Sequence, residues 1–223
     1  MPFGAEVAQQ VATSREMWLV TPGQFVAVPI LAILVLALRP CNRLAAAALG
    51  LPIGCAGYAQ IVAGLFSGFR LTGIVLVALA LTMIALGLAA PRGRVAIANG
   101  WVRLAGAVIL GFGLVYPYFV EYIASFADFD SLARLGSLAG VNVSLVRWPM
   151  MPAVVGLALL CDGFRSWTWS LIVGLGGLFF GVYCVTWPGM NLDVVGLLGS
   201  TFLLAVAVQR AVGRAAQHPR EGA

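Results

Sequence analysis

Apolar positions run along this chain in long blocks broken by short polar stretches. They resolve into seven segments, about Trp18–Leu38, Leu44–Phe66, Leu71–Ala90, Val102–Phe126, Trp148–Cys161, Trp167–Trp187 and Leu192–Val208. Flanking residues widen the fifth to 146–162 and the seventh to 192–210. Crossing ~30 Å of hydrocarbon takes about 20 residues at 1.5 Å each, and most blocks have that length. The pattern predicts an all-α integral membrane protein, a bundle of seven transmembrane helices over residues 18–211. A polar tail, 212–223, follows it.

Punctuation between the blocks supports the division. Arg39-Pro40, Pro91-Arg92-Gly93-Arg94 and Trp187-Pro188-Gly189 each place residues that resist helix continuation at a block boundary. Across residues 1–17 and up to the start of the first block, Phe3, Val7, Val11 and Trp18 recur at near-helical spacing while Glu6, Gln9, Gln10, Arg15 and Glu16 interrupt them. Pro2–Arg15 therefore reads as an amphipathic interfacial helix rather than a secretory signal. Phe129, Leu132, Leu135 and Leu138 step by threes, with Asp130 as N-cap candidate, and read as a short surface helix between the fourth and fifth blocks.

Composition agrees with this picture. Of 223 residues 61% are apolar and 9% charged, too little charge to cover a fold of this size in water. All 13 basic residues are Arg, and they divide unevenly when dealt to alternating ends of the spans. Arg39, Arg43, Arg92, Arg94, Arg103, Arg165, Arg210, Arg214 and Arg220 fall on one side; Arg15, Arg70, Arg134 and Arg147 fall on the other. Cytoplasmic loops carry the basic excess, so the C-terminus is expected inside and the N-terminus outside. The net charge of +5 has no aromatic-interleaved cluster to suggest nucleic acid. Arg-for-Lys and Ala/Gly/Val-rich usage suggests a high-GC bacterium and its inner membrane.

Candidate chemistry is sparse. Catalytic templates built on Ser–His pairs, phosphate-binding glycine loops or paired acids find no match, and the single histidine, His218, sits in the tail. Glu121, Asp193 and Asp162 lie near span ends rather than at mid-depth. An outward-facing pocket is expected from Tyr118, Glu121, Tyr122, Arg147, Trp148, Tyr183, Trp187 and Asp193, with Pro117 bending the helix beside it. The same aromatics also fit an interfacial belt. Gly174, Gly177 and Gly181, with Gly54 and Gly57, mark close helix packing, either within the chain or between copies. Cys41 and Cys161 are weak candidates for a soft metal, and no cofactor is implied.

Met1-Pro2-Phe3, Trp148-Pro149, the run Gly156-Leu157-Ala158-Leu159-Leu160, Trp169-Ser170-Leu171-Ile172 and Leu192-Asp193 together resemble an uncharacterised bacterial family of seven-span proteins, domain of unknown function 6064. That resemblance implies a fold and no activity. Two functions follow as expectations. One is a non-catalytic accessory, assembly or interaction subunit that works through helix contacts with lipid, with another copy or with a membrane partner. The alternative is a small permease or solute-binding protein using the outward pocket.

Overall fold

In the computed structural model, residues 22–63, 67–126, 150–186 and 194–217 are described. The segments expected as an interfacial helix and a surface helix, and the tail beyond Gln217, fall outside them. Within the described residues the fold is all-helical: α1 Pro22–Leu38, α2 Asn42–Ala48, α3 Gly50–Ala63, α4 Ser67–Ala89, α5 Gly100–Phe126, α6 Met150–Leu160, a short 3₁₀ turn Asp162–Arg165, α7 Trp167–Thr186 and α8 Val194–Gln217.

Three prolines sit where helices tolerate them, whereas Pro29 and Pro117 lie inside α1 and α5. Pro22 opens α1, and Pro52 and Pro152 lie in the first turns of α3 and α6, where an amide donor is not required. The second apolar block, expected as one span, is divided at Leu49. Pro52 has no N–H for the carbonyl four residues earlier, at Ala48, and the helical ladder is interrupted there. Conversely, α5 runs unbroken through Pro117, so the backbone shows no helix end at the expected bend. The last helix continues to Gln217, well beyond 210, through Gly213 and a following Arg-Ala-Ala-Gln run that favours helix. The segment from 212 to 217, expected as polar tail, is therefore helical.

Successive helices pack as antiparallel pairs, α3 with α4, α5 with α6 and α7 with α8. The axis of the bundle is α6, which also touches α1, α3, α7 and α8. Every residue from Met151 to Leu160 is buried, and Val154, Val155, Leu157 and Ala158 have no exposed surface at all. A helix enclosed by protein on all sides can be short, because its length is not set by the thickness of the surroundings. One stretch of described residues, Val194–Gly213 on α8, is long and apolar enough to cross a membrane. Shorter apolar stretches occupy α1, α4, α5, α6 and α7.

All the turns at one end of the bundle meet. The N–H of Asn42 donates to the carbonyl of Gly93 at 2.8 Å, and that of Val95 to Pro40 at 3.2 Å, pairing Cys41 with Arg94 in a single antiparallel bridge. The N–H of Ala98 donates to the carbonyl of Leu160 at 2.8 Å. The segments 39–41, 90–99 and 161–166 are thus tied into one junction.

Candidate functional site

The junction is the most polar part of the described structure, and it is built around an unusual turn. Asp162, Gly163, Phe164 and Arg165 all have positive φ, between 52° and 59°. For L-residues this left-handed conformation costs roughly 1–2 kcal/mol each, glycine excepted. Contacts from several elements hold the turn. Phe164 is fully buried and meets Trp169 edge to face, their rings 4.9 Å apart. The Trp169 indole N–H donates to the carbonyl of Met83 on α4 at 3.1 Å. The Ser170 hydroxyl lies within hydrogen-bond distance of the carbonyls of Gly163 and Ser166. From α8, Arg210 donates to the backbone carbonyl of Asp162 at 2.8 Å and forms an ion pair with its carboxylate.

Asn42 closes the other side. Its side chain is 1% exposed, and its amide NH₂ donates to the carbonyls of Phe164 at 2.6 Å and Pro91 at 3.1 Å. Asn42 Oδ1 is buried with no hydrogen-bond partner in the described structure. The two carbonyls fix which way the amide faces, because an oxygen turned toward them would repel both. Beside it, Arg43 Nε donates to the carbonyl of Ala90 at 2.7 Å. Together these side chains satisfy carbonyls just beyond the end of α4, which no helical N–H can reach.

Around this junction Arg39, Arg92, Arg94, Arg103 and Arg165 are exposed. Asp162, about a third exposed and paired with Arg210, is the one acid placed here among the described residues. Trp101, 81% exposed, and Trp167 open α5 and α7 at the same end. Arg70 starts α4 at the opposite end.

The residues singled out from the sequence are distributed differently. Tyr118, Glu121 and Tyr122 fall on α5 and Tyr183 on α7, with their side chains outside the described set; Arg147, Trp148, Trp187 and Asp193 lie outside the described residues altogether. The glycines of α7 face α8 within the same chain. A Cβ on Gly174 would lie 2.7 Å from Leu204, one on Gly181 would lie 3.0 Å from Leu197, and one on Gly177 would overlap the Ser200 hydroxyl. Gly57 faces Gly73 across α3 and α4, where an added Cβ would meet the Gly73 carbonyl at 2.7 Å; Gly54 faces Ala80. Cys41 is exposed and Cys161 buried, and no group of three or more His, Cys, Asp or Glu occurs among the described residues.

Sequence reasoning missed the tightest crossing, between α5 and α6. Gly106 and Gly113, seven residues apart and so on one face of α5, receive the α6 backbone, while Gly156 of α6 receives Leu110. A Cβ on any of the three would run into backbone, at 2.6 Å from Leu160 N for Gly106. The heptad spacing of Gly106 and Gly113 was the available signal. The Asp162–Arg210 pair and the Asn42 staple had none, since 48 and 122 residues separate the partners.

No family model, no curated protein and no solved structure matches the chain. The resemblance to the seven-span family accordingly rests on the quoted strings alone.

Proposed function

We propose that this is a multi-pass protein of the bacterial inner membrane, crossing seven times with the arginine-rich junction in the cytoplasm, and that it works as a non-catalytic accessory or assembly subunit. The observation that carries the reading is the outer surface. Large apolar side chains are exposed on every helix around α6: Ile33 (65%) on α1, Leu51 on α3, Leu81 on α4, Val108 on α5, Phe179 on α7 and Leu198 (64%) on α8 are examples. A protein partner covers one patch of a surface, whereas apolar exposure on all the surrounding helices calls for a surrounding apolar solvent. Helix lengths fit as well: α4 has 23 residues and α5 has 27, about 34 and 40 Å at 1.5 Å per residue.

The accessory role is supported by what the polar groups do. Thr82, Ser200 and Thr201 bond carbonyls four residues back in their own helices, and Asn42 and Trp169 bond carbonyls of neighbouring elements. These side chains hold backbone together. The bundle axis, where a transport path between helices would run, is filled by the apolar side chains of α6. Light scattering and native mass spectrometry of the chain purified in mild detergent test the role. A defined oligomer or a stoichiometric complex with another membrane protein is expected; a lone monomer in every mild detergent contradicts it.

A further inference from the structure

We infer that the exposed arginines beside the Cys41–Arg94 bridge form a docking surface for the anionic headgroup of a phospholipid. The inference rests on the membrane reading above. Its geometric basis is the bridge itself. The hydrogen bonds from Asn42 N–H to Gly93 and from Val95 N–H to Pro40 flank the Cys41–Arg94 pair, which makes it the closely spaced, non-hydrogen-bonded type, with Cα atoms about 4.5 Å apart. Arg39 and Arg92 each stand two residues from this pair, no more than ~7 Å along the chain. Three exposed arginines thus lie on two stitched loops, one at the bridge and one two residues to either side of it.

Nothing nearby in the described structure neutralises them. Asp162 is engaged by Arg210, and Arg43, at the start of α2, donates through Nε to Ala90. A guanidinium binds phosphate with paired N–H donors, so the uncompensated charge fits a phosphate diester.

The same place distinguishes lipid from other phosphates. Leu38 (68% exposed) precedes Arg39, Leu44 (63%) follows Arg43, and Leu88 (50%) lies in the last turn of α4 before the Arg92 loop. Exposed aliphatic side chains thus lie one step toward the bundle from the guanidiniums. A molecule carrying an anionic head on an acyl chain meets both features, whereas inorganic phosphate or an acidic protein segment meets only the first.

The test uses the full chain in detergent micelles, titrated with phosphatidylglycerol, phosphatidylcholine or inorganic phosphate, with binding read by native mass spectrometry. Wild type is expected to retain phosphatidylglycerol over phosphatidylcholine. With each basic residue contributing roughly fivefold near an anionic surface, Arg39→Gln/Arg92→Gln/Arg94→Gln should lose about a hundredfold in phosphatidylglycerol affinity. Arg94→Gln alone should lose about fivefold, and Arg70→Gln, at the opposite end, should lose nothing.

Equal retention of the two lipids by wild type overturns the proposal, as does full competition by inorganic phosphate alone or an unchanged affinity in the single and triple variants. Should the triple variant fail to fold, the wild-type lipid preference and Arg94→Gln decide. Alkaline carbonate extraction of the same cells separates the two readings: release of the chain from membranes contradicts the membrane assignment, while an embedded chain indifferent to headgroup contradicts only the docking surface.

Discussion

Arg210 reaches from the last helix to Asp162 and engages it twice, donating from Nη1 to the backbone carbonyl and pairing through Nη2 with the carboxylate. The two interactions differ in worth. Both side chains are about a third exposed, so the ion pair adds at most about 1 kcal/mol. The bond from a charged donor to the carbonyl of a left-handed turn is worth about 1.5–3 kcal/mol. Arg210→Met should therefore destabilise the chain more than Asp162→Asn, which leaves an acceptor oxygen and a residue that tolerates positive φ. Thermal unfolding in detergent checks the order; a larger loss for Asp162→Asn contradicts it.

Asn42 is the most demanding polar position. Asn42→Ala leaves the carbonyls of Phe164 and Pro91 without this donor, at about 1–3 kcal/mol for each left unsatisfied. Asn42→Asp puts an acceptor where the amide donated, and should be worse than alanine. Comparing the unfolding midpoints of the two variants tests this; an aspartate variant as stable as wild type contradicts the staple.

The glycine crossings supply a matched control. Gly113 and Gly156 lie against backbone, while a Cβ on Gly111 of the same α5 helix meets nothing within 4 Å. Gly113→Ala and Gly156→Ala should each cost about 1–3 kcal/mol through forced helix separation. Gly111→Ala should be neutral or stabilising by up to ~1 kcal/mol, from helix propensity alone. Equal effects at the three positions would falsify the placement of the seam.

Three cysteines report their surroundings directly. In a chain carrying Cys184→Ala, Cys41 should react with a charged, membrane-impermeant maleimide in inverted vesicles and be silent in intact cells. Cys55, exposed on α3 within the apolar perimeter, should react with a lipid-soluble reagent, and buried Cys161 only after denaturation. Rapid labelling of Cys55 by the charged reagent contradicts the proposed lipid-facing placement of α3.

Much of this architecture was legible in the pattern of apolar blocks. Helices α4, α5 and α7 begin and end within a few residues of the segments read from hydropathy and from punctuation such as Pro91-Arg92-Gly93, because those signals are local. The break at Leu49 was less visible: Pro52 acts on a carbonyl four residues earlier, inside an otherwise uniform apolar run. The junction was invisible for another reason. Asn42, Phe164 and Arg210 are brought together by the packing of α2, the 162–165 turn and α8, and no periodicity encodes such a meeting. Among the candidate positions, the α7 glycines were readable as a seam, but only the packed structure assigns α8 of the same chain as their partner.

Paired topology reporters put the proposed threading of the bilayer, with the arginine junction inside the cell, to the sharpest test. Alkaline phosphatase and green fluorescent protein are fused in parallel before residue 18, within 95–99 and after Gln217. Phosphatase activity is expected only at the first site and fluorescence at the other two. Both chain ends reporting one compartment, or phosphatase activity in the 95–99 loop, would contradict it.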